Sequence, residues 1–122
     1  LAKSIPANVD LHLAPSRTAA ECTKGVGDIL TSLGNPTFDI IVIDGLWREQ
    51  LVPIARAHLK EGGAVICDNA SGYNMKEAFL GTGFSHVDFY GPAPGVILPS
   101  VTSVFFASGC FLFDETWPIE LM

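Results

Sequence analysis

Two carboxylates carry the chemistry most readily argued from this chain. Asp44 follows the apolar run Phe38-Asp39-Ile40-Ile41-Val42-Ile43, and Asp68 follows Ala64-Val65-Ile66-Cys67 with Asn69 directly after it. They lie 68 − 44 = 24 residues apart, the span of one strand–helix–strand crossover. If the two runs are neighbouring strands, both carboxylates and the Asn69 amide meet at one end of a sheet. That is a set of hard oxygen donors suited to Mg²⁺ or Ca²⁺. The plainer alternative is that each Asp caps a helix or closes the Gly45 turn, a common use of Asp.

Other side chains weigh less. Trp47 and Arg48 follow Asp44-Gly45 and open a helix at the mouth of the site, where they could pack a substrate ring or grip a carboxylate; both types also suit an interface. Tyr73 comes shortly after Asn69 and either faces the site or anchors a loop. His12, His58 and His86 have no metal-ligand spacing and read as surface or structural histidines. Cys67 sits in an apolar run beside Asp68, where burial and a neighbouring carboxylate would raise its pKa and quench it as a nucleophile.

These groups must be positioned by alternating strands and helices. Val9–Leu13 reads as a short strand closed by Ala14-Pro15-Ser16, with Ser16 placed to cap the helix that follows over Arg17–Leu33. Gly25 and Gly27 weaken that helix, and Gly34-Asn35-Pro36 stops it. Phe38–Ile43 is apolar almost throughout and predicts a central parallel strand buried on both faces. A helix over Arg48–Lys60 tolerates Pro53 near its start and ends at Gly62-Gly63. Ala64–Cys67 is a second buried strand, Tyr73–Leu80 a short helix, and His86–Tyr90 and Thr102–Ala107 a final antiparallel pair joined through Gly91-Pro92-Ala93-Pro94-Gly95. That loop could wall a pocket or serve as a stiff connector. Such alternation predicts a mostly parallel sheet covered by helices, with ligands gathering at the carboxyl ends of the strands.

Composition bounds the rest. With 122 residues the chain predicts a single α/β domain over 1–122. A hydrophobic fraction of 48% excludes disorder, and no apolar run reaches the length of a membrane span. The net charge of −6, without a Lys/Arg cluster, argues against nucleic acid as a partner. Three cysteines without C-x-x-C spacing and no signal segment suggest a reducing cytoplasm. Only 16% of residues are charged, which leaves apolar surface to be covered by another polypeptide. The chain begins at Leu1 rather than Met, as expected of a processed polypeptide or of one cut from a longer frame.

The stretches FDIIVIDG, LKEGGAVICDN, Tyr73, GTGFSHVDFYGPAP and TSVFF together resemble the carboxyl-terminal half of a class I S-adenosylmethionine-dependent methyltransferase, over roughly residues 8 to 107. The resemblance implies a Rossmann-like three-layer sandwich, mostly parallel with an antiparallel carboxyl-terminal strand and truncated at its amino terminus. Val9–Leu13 would be the third strand, Phe38–Ile43 the fourth and Ala64–Cys67 the fifth. It also implies S-adenosylmethionine as cofactor with Asp44 beside it, a small-molecule acceptor near Trp47, Arg48 and Tyr73, and, by similarity to catechol-type O-methyltransferases, Mg²⁺ on Asp44, Asp68 and Asn69. Gly45-Leu46-Trp47-Arg48 differs from the usual sequence after the fourth-strand Asp of those enzymes, and the family's glycine-rich cofactor loop has no counterpart among these residues.

In the family the first two strands separate the third from the fourth. Their absence predicts that Val9–Leu13 pairs directly with Phe38–Ile43, or that the bare edge or the apolar tail Phe111–Leu121 makes a homodimer. Three functions compete: half of an active methyltransferase, a truncated non-catalytic interaction module, and a small-molecule or metal-binding protein using the strand-end pocket.

Overall fold

The computed structural model describes residues 4–92, 95, 97 and 99–113. Its first regular element is α1 (Ala19–Ser32). Thr18, rather than Ser16, caps it by accepting from the Glu21 N–H at 3.1 Å, while the Glu21 carboxylate reaches back to the Arg17 N–H at 3.2 Å. The helix runs through both glycines. At Gly25 a Cβ would lie 3.1 Å from the Pro15 ring, so the leading segment lies against the helix where a side chain would obstruct it. Gly34 at φ +83 and Asn35 at φ 53 then turn the chain out of the helix.

Four strands form one sheet in the order β1-β2-β4-β3. They are β1 (Phe38–Ile43), β2 (Leu59–Cys67), β3 (Ser85–Gly91) and β4 (Ser100–Phe106). β1 pairs parallel with β2, and β4 pairs antiparallel with both β2 and β3, so β1, β2 and β3 run one way and β4 the other. The mixed α/β sheet and the antiparallel last pair agree with the sequence.

Several boundaries do not. Residues 9–13 form no strand, and Leu11 and Leu13 are exposed, so nothing from that segment pairs with β1. β1 is consequently not central but an edge strand, with Ile40 43% and Val42 61% exposed. The helix expected over Arg48–Lys60 is a 3₁₀ turn (Glu49–Leu51) followed by the short α2 (Val52–Ala57). It ends at His58, whose carbonyl accepts the Phe38 N–H at 2.8 Å, so strand pairing takes over before the glycines are reached. Gly62 and Gly63 therefore lie inside β2, where the β1 register jumps from Phe38↔Leu59 to Ile40↔Ala64. A Cβ on Gly63 would sit 2.7 Å from the Asp39 carbonyl, which is why this bulge needs glycine. The expected Tyr73–Leu80 helix is a 3₁₀ turn (Ala70–Tyr73) followed by α3 (Met75–Ala78).

Alternation along the strands separates two faces. Ile43, Val65, Cys67, Val101 and Phe105 face Val52, Ala55, Ala70, Met75 and Phe79, and this is the main core. Phe79 stacks on Phe105 at 4.1 Å between ring centroids. α1 stands off this same side, across a cleft of about 300 Å³ lined by Val26, Leu30, Ile41, Leu51, Ile54 and Ala55. On the opposite face Ala64 and Val104 are covered by Cys110, and Phe106 meets Phe113 at 4.6 Å. Among the described residues no helix lies over Ile40 and Val42, so the expected three layers are two at this end of the sheet. The tail beyond Phe113 and the centre of the Gly91–Gly95 loop, both named in the sequence reading, lie outside the described residues. Among the described residues no helix is long and apolar enough to cross a membrane.

Candidate functional site

The register Ile43↔Cys67 brings the ends of β1 and β2 side by side, so Asp44 and Asp68 do emerge as neighbours. What lies between them is Arg48. Its Nη2 pairs with the Asp44 carboxylate at 3.1 Å, its Nη1 donates to the Asp68 carbonyl at 2.5 Å and its Nε donates to the Gly45 carbonyl at 2.6 Å. The guanidinium carbon lies 4.3 Å from the centre of the Tyr73 ring. With only 11% of its side chain exposed, Arg48 is a clamp across two strand ends rather than a free arm at a pocket mouth.

The positive charge supplied by Arg48 bears on the metal expectation. Asp44 Oδ1 is paired with Arg48, leaving its second oxygen toward solvent, and Asp68 Oδ1 accepts from the Thr102 hydroxyl at 2.8 Å. Asn69 adopts φ 48, and its amide is folded against Gly72, where a Cβ would lie 3.0 Å from Nδ2. Among the described residues no three His, Cys, Asp or Glu side chains converge as a metal site. These donors fit the chain's own guanidinium better than a divalent ion.

Trp47 also has a different task from the one expected. It adopts φ +57, and its indole N–H donates to the Ser16 carbonyl at 2.8 Å. A bulky residue held in the left-handed region needs such a tether. The half-buried indole thus ties the segment before α1 to the loop after β1, instead of presenting a free ring to substrate. Cys67 is fully buried, and burial pushes its thiol up to about 12 while Arg48 pulls it partly back, so it is inert core.

Sequence reasoning missed the far side of this end of the sheet. Thr102, Ser100 and Phe89 join Asp68 in lining a crevice of about 400 Å³, with Gly91 and Pro92 of the loop that the sequence offered as a pocket wall also at its rim. Only the antiparallel insertion of β4 between β2 and β3 places Thr102 next to Asp68. A second missed cluster lies on the core side, where Asp88 accepts from Ser103 at 2.6 Å, Lys76 at 2.9 Å and His86 at 2.9 Å. Burial alone would raise its pKa, but these hydrogen bonds outweigh burial and hold Asp88 at about 2. A His and an Asp at i, i+2 on one strand face was the available signal. His58 Nδ1 lies 2.8 Å from the Pro36 carbonyl and is structural, while His12 is exposed outside any regular element.

The chain matches no known family model, no curated protein and no solved structure.

Proposed function

We propose that this chain is part of, or derived from, an S-adenosylmethionine-dependent small-molecule methyltransferase, with Asp44 toward the cofactor and the Arg48–Tyr73 clamp toward the acceptor. The observation that carries this reading is the pattern of directions. Two parallel strands end side by side in Asp44 and Asp68, and an antiparallel pair completes the sheet beyond them. The open edge of β1, with the cleft of about 300 Å³ beside it, supports the same reading: it is where the resemblance implies that further strands pair.

The residues described supply only one wall for the cofactor. Asp44 is exposed at the strand end, and no glycine-rich strand–turn–helix cradle accompanies it. S-adenosylmethionine, when bound, supplies an electrophilic methyl group. The chain's own contribution is to hold the strand ends in fixed register through Arg48, and to offer oxygen acceptors at Asp44 and Asp68 for ligand hydroxyl or amine groups. No lysine or histidine stands at these strand ends to act as a base.

A second reading, an interaction module that forms a homodimer, rests on the exposed apolar edge of β1, a template for strand pairing. Calorimetric titration of the natural full-length protein with S-adenosylmethionine and its demethylated product separates the two. Binding on the order of micromolar, weakened about tenfold or more by Asp44→Ala, supports the methyltransferase reading. No heat with either ligand overturns it and leaves the interaction module.

A further inference from the structure

The crevice at the carboxyl ends of β2 and β3 is unlike the apolar cleft beside β1. Its lining brings together one carboxylate, Asp68, two hydroxyls, Ser100 and Thr102, and the aromatic ring of Phe89, the residue paired with Thr102 on the same face of the sheet. Among the described residues no cationic side chain lines it. Arg48, the nearest guanidinium to Asp68, is spent on Asp44 and on main-chain carbonyls. The Thr102 hydroxyl donates to Asp68 Oδ1 at 2.8 Å, which fixes the carboxylate and leaves its other oxygen with lone pairs to offer. Phe89 is 56% exposed, so aromatic surface stands open beside that negative charge.

A wall that is rich in acceptors and π-faces asks its ligand to bring a donor and a positive charge. We infer that this crevice binds an organic ammonium, a primary amine carried on an aromatic or cyclic body, with the amine on Asp68 and the ring against Phe89. The inference deepens the proposed function by naming the class of acceptor, and it rests on that reading for the claim that the ligand is a methyl acceptor. Binding itself needs no cofactor.

The probe is 2-phenylethylamine, titrated against the full chain by NMR, with 2-phenylethanol as its neutral counterpart. The amine is expected to bind about fivefold or more tighter than the alcohol, since a solvent-exposed cation–π contact and one charge-assisted hydrogen bond distinguish them. Asp68→Asn keeps an oxygen for the Thr102 hydroxyl and removes the charge, so it should erase that difference. Phe89→Ala should weaken the amine severalfold while leaving the chemical shifts of the β1 residues in place. Equal affinity for the two probes, unchanged amine binding in Asp68→Asn, or no saturable shift up to about 10 mM overturns the inference. Should Asp68→Asn fail to fold, the probe pair and Phe89→Ala still decide. Amine binding without S-adenosylmethionine binding removes the methyltransferase reading and leaves the amine site, whereas the reverse result removes only the amine site.

Discussion

The two edges of this sheet are built differently. At β3 the edge strand is pinned by polar contacts: Asp88 gathers Ser103 from β4, Lys76 from α3 and His86 from its own strand. A charged group pointing inward on an edge strand is a recognised way of ending a sheet. At β1 the edge carries Phe38, Ile40 and Val42 in the open, with Asp39 as its one charged residue and an apolar cleft alongside. The difference teaches that the sheet terminates by its own chemistry at β3, whereas at β1 it is still able to accept another strand.

The largest effect expected from breaking this contrast is in the core next to β3. Phe105→Ala removes a fully buried ring stacked on Phe79 and should cost about 3–5 kcal/mol in urea denaturation. Val42→Ser at the other end, where the side chain is mostly solvated, should cost less than about 0.5 kcal/mol. A comparable loss at both positions would mean that the β1 face is covered in solution.

Next in size is the Asp88 cluster. Its folded pKa of about 2 lies below the usual carboxylate value, so its stabilisation is complete above about pH 4 and is lost as the pH falls toward 2. Discounting for solvent reaching the Lys76 side, the contribution is about 1–2 kcal/mol. Asp88→Asn should therefore lower stability by that amount at pH 7 and flatten the thermal midpoint between pH 4 and 2. An unchanged acid profile would remove Asp88 as the pin of the β3 edge.

Val42→Lys bears on β1 directly. Lysine on an edge strand opposes pairing, so sedimentation should show less self-association in this variant than in the parent chain, at equal stability. Unchanged association would place any contact between copies elsewhere. The smallest effect concerns thiols. Cys22, Cys67 and Cys110 are all buried, and native protein should react slowly with a thiol reagent until unfolded, Cys67 least of all. Rapid native labelling of Cys67 would show that the ends of β1 and β2 open readily.

Much of the fold was legible because its signals are local. The β-branched run Phe38–Ile43, the turn residues Gly34-Asn35 and the apolar Ala64–Cys67 each mark an element through its own composition. Gly62-Gly63 misled because a glycine pair serves a helix end and a strand bulge equally well, and only the approach of the Asp39 carbonyl distinguishes them. Phe38–Ile43 misled in another way: continuous apolarity reports that a strand asks for cover on both faces, without reporting that cover is there. For the site, the sequence placed Asp44 and Asp68 together. It could not place Arg48 between them, because a flexible side chain with several possible partners leaves no mark on spacing.

The sequence by itself determined the alternation of strands and helices, the parallel first pair with a carboxylate at each strand end, and the burial of Cys67, since periodicity and turn chemistry act over a few residues. Only the tertiary structure decided that β4 inserts between β2 and β3, and so that Thr102 holds Asp68. The same is true of Trp47, which ties the segment before α1 to the loop after β1, and of β1, which stands at an open edge. Each of these depends on which distant segments meet, and that is settled by packing over the whole chain rather than by any local preference.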